Sequence, residues 1–212
     1  MASRTGSGST LRERKRERTR KALIDAAIDL FERNGYDGTT VADIAEAAEI
    51  GTRTFFSYFA SKEELLFPES DARVAAAVTA IANRKPGDRP ADVLLRALRD
   101  VGAADGEPDD MVDRIAVIRL ALFRTVPAVR GRALQIQLDA QREIAGHLQR
   151  AFPAELDPVT AAALVGAFIG AVSGALQVLL DHRDSPADPD DLRRQLRQAT
   201  DIALRPWRQP GP

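Results

Sequence analysis

Apolar residues in this chain recur at three and four positions, segment after segment, and nowhere alternate over a useful length. That spacing lines one face of a helix, whereas a strand needs a period of two. The expected fold is therefore all-α. Between Thr10 and about Asn34, the residues Leu23, Ala26, Ala27, Leu30 and Phe31 form one stripe, and Asn34-Gly35 closes it as a helix end should. Beyond Pro68, helices are expected at about 69–84, 90–103, 109–125, 127–151, 158–182 and 188–205. Breaks fall at Lys85-Pro86-Gly87, Ala104 to Pro108, Pro127, Pro153 to Pro158 and Ser185 to Pro189. There is no internal repeat.

The stretch between Gly35 and Pro68 is organised differently. Thr40 reads as an N-cap with Asp43 three residues on, a weaker capping box. Val41, Ile44, Ala45 and Ala48 give the inner face of a short helix. Ile50-Gly51 supplies a sharp turn, with Gly51 as its turn residue. Thr52 to Phe59 then reads as a second short helix. Ser61-Lys62-Glu63-Glu64 reads as a capping box opening a third through Leu65, Leu66 and Phe67. Two short helices about a tight turn, after a longer helix, are a helix-turn-helix. The expected organisation is a disordered Gly/Ser-rich arm at 1–9, a helix-turn-helix domain at 10–67 and a larger helical domain at 68–212.

Composition narrows the setting. A hydrophobic content of 44 % supports a buried core, and the absence of Cys removes disulfides and thiolate metal sites and fits a reducing, cytoplasmic compartment. No charged segment leads into an apolar run at the start, so no signal peptide is read. Net charge is −1, but residues 1–21 carry eight Lys/Arg against Glu13 and Glu17, whereas residues 63–212 carry 19 basic and 22 acidic residues. A basic end on an otherwise acidic chain points to a local polyanion contact; a solvated tail is the plain alternative. Residues 158–180 are uncharged over more than twenty positions, long enough for a bilayer. Their many Ala and Gly, Ser173, Gln177 and the lack of flanking aromatic anchors favour instead a helix buried on most sides, with no membrane partner.

Four of the eleven aromatic residues, Phe55, Phe56, Tyr58 and Phe59, fall within five positions. On a helix, Phe55 and Phe59 share a face and anchor the small domain's core. Arg53, Phe56 and Ser57 lie on another face, and Tyr58 flanks it. There, Arg53 would reach guanine O6/N7, Phe56 would give apolar contact, and Tyr58 would donate to phosphate. Lys62 and Thr40 are the phosphate candidates at helix starts. Pattern alone leaves open that the aromatic run is simply core and Arg53 merely solvated.

Residues 15–66 resemble the DNA-binding domain of the TetR family of bacterial transcriptional regulators. The resemblance rests on LFERNGYDGTTVADIAEAAEIG followed by TRTFFSYFASKEELL, with its aromatic pair, further aromatic and Ser-Lys-Glu in that order. It implies a phosphate or base contact at Thr40, base reading by Thr52, Arg53 and Thr54, backbone and methyl contacts by Phe56, Ser57 and Tyr58, and a phosphate contact at Lys62. Phe56 lacks the hydroxyl that the family often has there, and Ser57 stands where an aromatic is common. The basic stretch Arg14 to Arg20 is placed against the adjacent minor groove or backbone. The resemblance further implies a C-terminal dimerisation and ligand-binding domain, a palindrome-like operator, and more commonly repression than activation.

The remaining residues support parts of that picture. Gly166, Gly170 and Gly174 repeat every four positions, a spacing that lets helices approach closely, between subunits or within one. Leu192, Leu196, Ala199 and Ala203 offer a seam on the last helix, for a homodimer built from the final two helices. Apolar walls with scattered Arg119, Arg124, Gln135, Gln137, His147, Ser173, Gln177 and His182 fit a small, largely apolar effector, without naming its ligands. Catalysis is not expected. His147 and His182 stand without Cys, Gly170-Ala171-Val172-Ser173-Gly174 is not a nucleophile elbow, and no phosphate-binding glycine pattern occurs. No cofactor is expected. The alternative to a DNA-binding regulator is a helical dimeric binding or scaffold protein that binds no specific DNA.

Overall fold

A computed structural model describes residues 11–104, 110–181 and 189–208. The expected arm at 1–9, Thr10 and His182 lie outside them. The described residues are helical and contain no strand. The helices are α1 (Leu11–Asn34), α2 (Val41–Ala47), α3 (Thr52–Phe55), α4 (Ser70–Ala82), α5 (Pro90–Ala104), α6 (Asp110–Thr125), α7 (Pro127–Ala151), α8 (Pro158–Asp181) and α9 (Pro189–Arg208), with a 3-10 turn at Glu63–Leu66. Proline opens α5, α7, α8 and α9, where its missing N–H costs nothing. Asp157 caps α8, its Oδ1 accepting from the Val159 and Thr160 amides at 2.8 and 2.9 Å.

The chain divides into two compact units. The first runs through Pro68 and also takes in α6 and the start of α7, to Arg132. Its core joins Leu23, Ile24, Ala27, Ile28 and Phe31 of α1 to Ile44 and Ala45 of α2, Phe55 and Phe59, and Leu65 and Leu66; Ile115 of α6 and Val129 of α7 complete it. The sequence reading had assigned α6 to the larger domain. Three arginines tie the later segment in. Arg114 Nη2 donates to Asp29 and Glu32 of α1 at 2.7 and 2.5 Å. Arg119 Nη1 donates to the Leu66 carbonyl at 3.1 Å. Arg132 Nη2 donates to Glu64 at 2.8 Å. Arg114's hydrogen bonds hold the Glu32 carboxyl below its ordinary range.

The second unit holds α4, α5, the rest of α7, α8 and α9. Ile81, Leu94, Leu148, Leu164, Val165 and Leu204 are among its core residues, and α8 packs along α9. Pro158–Leu179 is, among the described residues, long and apolar enough to cross a bilayer by length and composition. Burial on most sides was expected for it. Within the subunit one face is buried, through Ala161, Leu164 and Val165, while Val159, Ala163, Gly170, Gly174 and Gln177 are exposed along the opposite face. The glycine stripe divides. A Cβ on Gly166 would meet Gln141 Nε2 at 2.8 Å, but Cβ atoms on Gly170 and Gly174 would meet nothing within 4 Å.

Candidate nucleic-acid interface

The site is built on α2, the turn after it, and α3. Thr40 caps α2 with a complete capping box: its Oγ1 accepts from the Asp43 amide at 3.2 Å, and Asp43 Oδ2 accepts from the Thr40 amide at 2.8 Å. The Thr40 hydroxyl also donates to Asp43 Oδ2, at 2.7 Å. Hydrogen bonds from Thr40's side chain and backbone hold the Asp43 carboxyl below its ordinary value. Thr40's own donors are therefore already engaged.

The turn departs from expectation. Gly51 has φ −75° and serves as the N-cap of α3, while the positive φ, +56°, belongs to Glu49. Ile50 N donates to the Ala45 carbonyl and Glu49 N to the Glu46 carbonyl, both at 2.9 Å. These two bonds form a Schellman closure of α2, whose left-handed position must be filled by whichever residue stands there.

Helix α3 is shorter than predicted, ending at Phe55 instead of Phe59. The chain tightens after it: Ser57 N donates to Thr54 O and Tyr58 N to Phe55 O, both three residues back, at 3.0 and 2.9 Å. Ser57 Oγ reinforces this by donating to the Thr54 carbonyl at 2.6 Å. The aromatic division holds nonetheless. Phe55 and Phe59 are buried, their rings 5.9 Å apart, while Phe56 stands 56 % exposed with its ring edge-on to Phe55. Thr52, Arg53, Thr54 and Ser57 are exposed beside it. Tyr58 is half-buried, and the Arg16 guanidinium lies 5.7 Å from its ring centre.

Lys62 sits differently from a free phosphate ligand. Its Nζ donates to the Tyr36 and Thr39 carbonyls at 2.7 and 2.8 Å and lies 3.8 Å from the Tyr36 ring centre. The expected Ser61 capping box does not form. Lys62 itself is the N-cap of the 3-10 turn without a side-chain cap bond, and Glu64 accepts instead from the Ala60 amide. The sequence reading missed the supports beneath. Buried Thr39 donates its hydroxyl to the Gly35 carbonyl at 2.8 Å. Tyr36 donates its hydroxyl to Glu63, and burial followed by that bond raises the phenol's pKa. Gly38 permits a close approach, since a Cβ there would stand 2.5 Å from the Asn34 carbonyl oxygen. The aromatic at 36 and the glycine at 38 were visible signals; their partners, up to 27 residues away, were not.

The fold and this site define an all-helical protein carrying a helix-turn-helix DNA-binding domain. Residues 23–67 match the family model of bacterial regulatory proteins, tetR family. The HTH-type transcriptional regulator TcmR of Streptomyces glaucescens is 39 % identical over 148 residues, 69 % of this chain and 64 % of that protein. The chain thus spans just under two thirds of TcmR's length. The negative transcriptional regulator IcaR of Staphylococcus epidermidis is 42 % identical over 43 residues, 20 % of this chain and 23 % of that protein. The fold of Thermus thermophilus FadR, a TetR-family repressor solved with lauroyl-CoA, superposes with a TM-score of 0.57 over 91 % of this chain and 100 % of that one, at 20 % identity. Residues 23–67 thus carry a DNA-binding domain of the tetR family of bacterial regulatory proteins.

Proposed function

We propose that the chain is a dimeric, sequence-specific transcriptional regulator, a repressor released from a palindrome-like operator by a small, largely apolar effector. The observation that carries this reading is the short α3 within the matched domain. Phe55 and Phe59 root it in the core, which leaves Thr52, Arg53, Thr54, Phe56 and Ser57 exposed together. Arg53 is the guanine reader, Phe56 the apolar contact to thymine methyl groups, and Tyr58 a backbone contact. Thr40 and Lys62 join as phosphate contacts that share donors already used inside the domain.

Dimerisation is supported by the exposed stripe of α8, Val159, Ala163, Gly170 and Gly174, with exposed Ile202 on neighbouring α9. A two-fold pair carries two recognition helices and reads half-sites about one turn of DNA apart, ~34–36 Å. Effector release follows if the ligand favours a conformation with those helices wrongly spaced, its differential affinity supplying the coupling. An apolar effector accords with the Ala-, Val- and Leu-rich second unit.

Selection of bound sequences from random duplex DNA tests the reading. A palindromic consensus is expected, and Arg53→Glu is expected to abolish selective binding while the protein stays folded and dimeric. Sequence-blind binding by the wild type, or normal operator binding by Arg53→Glu, overturns it.

A further inference from the structure

We propose that Arg132 of α7 is a positioning residue for DNA reading: through Glu64 it fixes the end of the segment that presents Phe56, Ser57 and Tyr58; this rests on the regulator reading above. Helix α3 is four residues long, far below the roughly 12–15 residues at which an isolated helix holds itself. Its shape is therefore imposed by its neighbours. At the start, the Gly51 carbonyl accepts from the Thr54 and Phe55 amides at 2.8 and 3.1 Å. In the middle, Phe55 and Phe59 are buried. The end needs a restraint of its own.

That restraint is Glu64. If the helix continued, the Ala60 amide would donate to the Phe56 carbonyl, four residues back. It donates instead to Glu64 Oε2, at 2.5 Å. The carboxylate thus takes the amide that would lengthen the helix, in a bond strengthened by its charge. The other oxygen, Oε1, accepts from Arg132 Nη2 at 2.8 Å, with the two side chains 27 and 28 % exposed. One carboxylate therefore bridges the end of the reading segment to a residue 68 positions later in the chain and within the same compact unit. With both oxygens engaged, Glu64 keeps one orientation and holds Ala60 with it. Phe56, Ser57 and Tyr58 lie between two fixed ends, Gly51 and Ala60. Without the guanidinium, Glu64 loses one anchor and regains rotamer freedom. Base contacts carry the sequence information, so slack at this end costs selectivity, whereas a lost phosphate contact weakens binding to all DNA alike.

The test compares full-length wild type with Arg132→Met, Arg132→Lys and Glu64→Gln. Affinity for a duplex selected from the random pool and for a scrambled duplex is measured across salt, with a thermal melt to check folding. Arg132→Met should lower the preference for the selected duplex about tenfold, the worth of one misplaced base contact, with an unchanged salt slope. Arg132→Lys can still donate one bond to Glu64 and should recover most of that preference. Glu64→Gln places an NH2 where one of the two carboxylate oxygens accepts, so it should reproduce the loss. The double variant Glu64→Gln/Arg132→Met should lose no more than the worse single one, because the two residues form one bridge. A wild-type preference in folded Arg132→Met, whatever its melting temperature, overturns the proposal, since the bond would then serve stability alone. So does a slope shallower by about 0.9 for each subunit, which would make Arg132 itself a phosphate ligand, and so do losses that multiply in the double variant. If Arg132→Met is unfolded at the assay temperature, Glu64→Gln decides by the same preference and slope. If Arg53→Glu abolishes selectivity while Arg132→Met keeps the wild-type preference, only this extension fails. If the wild type selects no sequence, the regulator reading fails first.

Discussion

Phe55 and Phe56 are neighbours with opposite work, and the difference is measurable. Phe55 is fully buried between α1, α2 and Phe59, so Phe55→Ala leaves a cavity where no side chain can follow. It should cost about 3–5 kcal/mol of stability in a denaturant titration. Phe56→Ala should stay within about 0.5 kcal/mol of wild type, yet weaken operator binding, read by fluorescence anisotropy. Equal loss of stability in both would mean that Phe56 is core. The inward and outward assignments of this pair were legible in the sequence because residues four apart share a helix face. Lys62 was not legible in that way. Its charge promised a phosphate contact, but the carbonyls of Tyr36 and Thr39 lie within reach and took two of its donors.

At the level of elements, periodicity with Pro and Gly breaks located the long helices to within a few residues, because both signals are local. Short elements were harder. The end of α3 depends on a serine hydroxyl competing for the Thr54 carbonyl, and the α2 turn depends on a register that places Glu49, instead of Gly51, at positive φ. The clasp between α6 and α1 gives a pH prediction. Arg114 holds Glu32 below its ordinary carboxylate value, and the pair is partly exposed. Glu32 therefore contributes stability that is complete above the unfolded value of about 4.3 and is lost as pH falls through the lower folded value. Thermal melts of wild type should show this acid-side loss, and Arg114→Met should melt lower near neutrality with a flatter decline below pH about 4.3. Parallel declines in the two proteins would show that the clasp is not the titrating element.

For the molecule as a whole, the exposed α8 stripe marks where packing within the chain ends. Gly166 abuts Gln141 within the chain, whereas Gly170 and Gly174 face open space. At Gly170→Leu/Gly174→Leu the new Cβ atoms meet nothing within 4 Å, both positions are exposed, and helix propensity improves by roughly 1 kcal/mol at each site. If this face is the two-fold seam, sedimentation should show a folded 23.0 kDa monomer in place of the dimer, and operator binding should collapse with it. A variant that remains dimeric would move the interface elsewhere on the subunit.

The sequence by itself determined the fold class, the long helices, the family of the DNA-binding domain and which segment of the chain holds the helix-turn-helix. Those properties depend on periodicity, breaks and motif spacing, which are complete within a few dozen residues. Only the tertiary structure decided that α6 packs with α1, that Arg16 covers Tyr58, that Lys62 turns inward, and which glycines remain open. Each of those turns on a segment arriving within a few ångströms from far along the chain, as Arg114 does 85 residues after Asp29. A one-dimensional pattern records what each helix offers, and packing decides which neighbour accepts it.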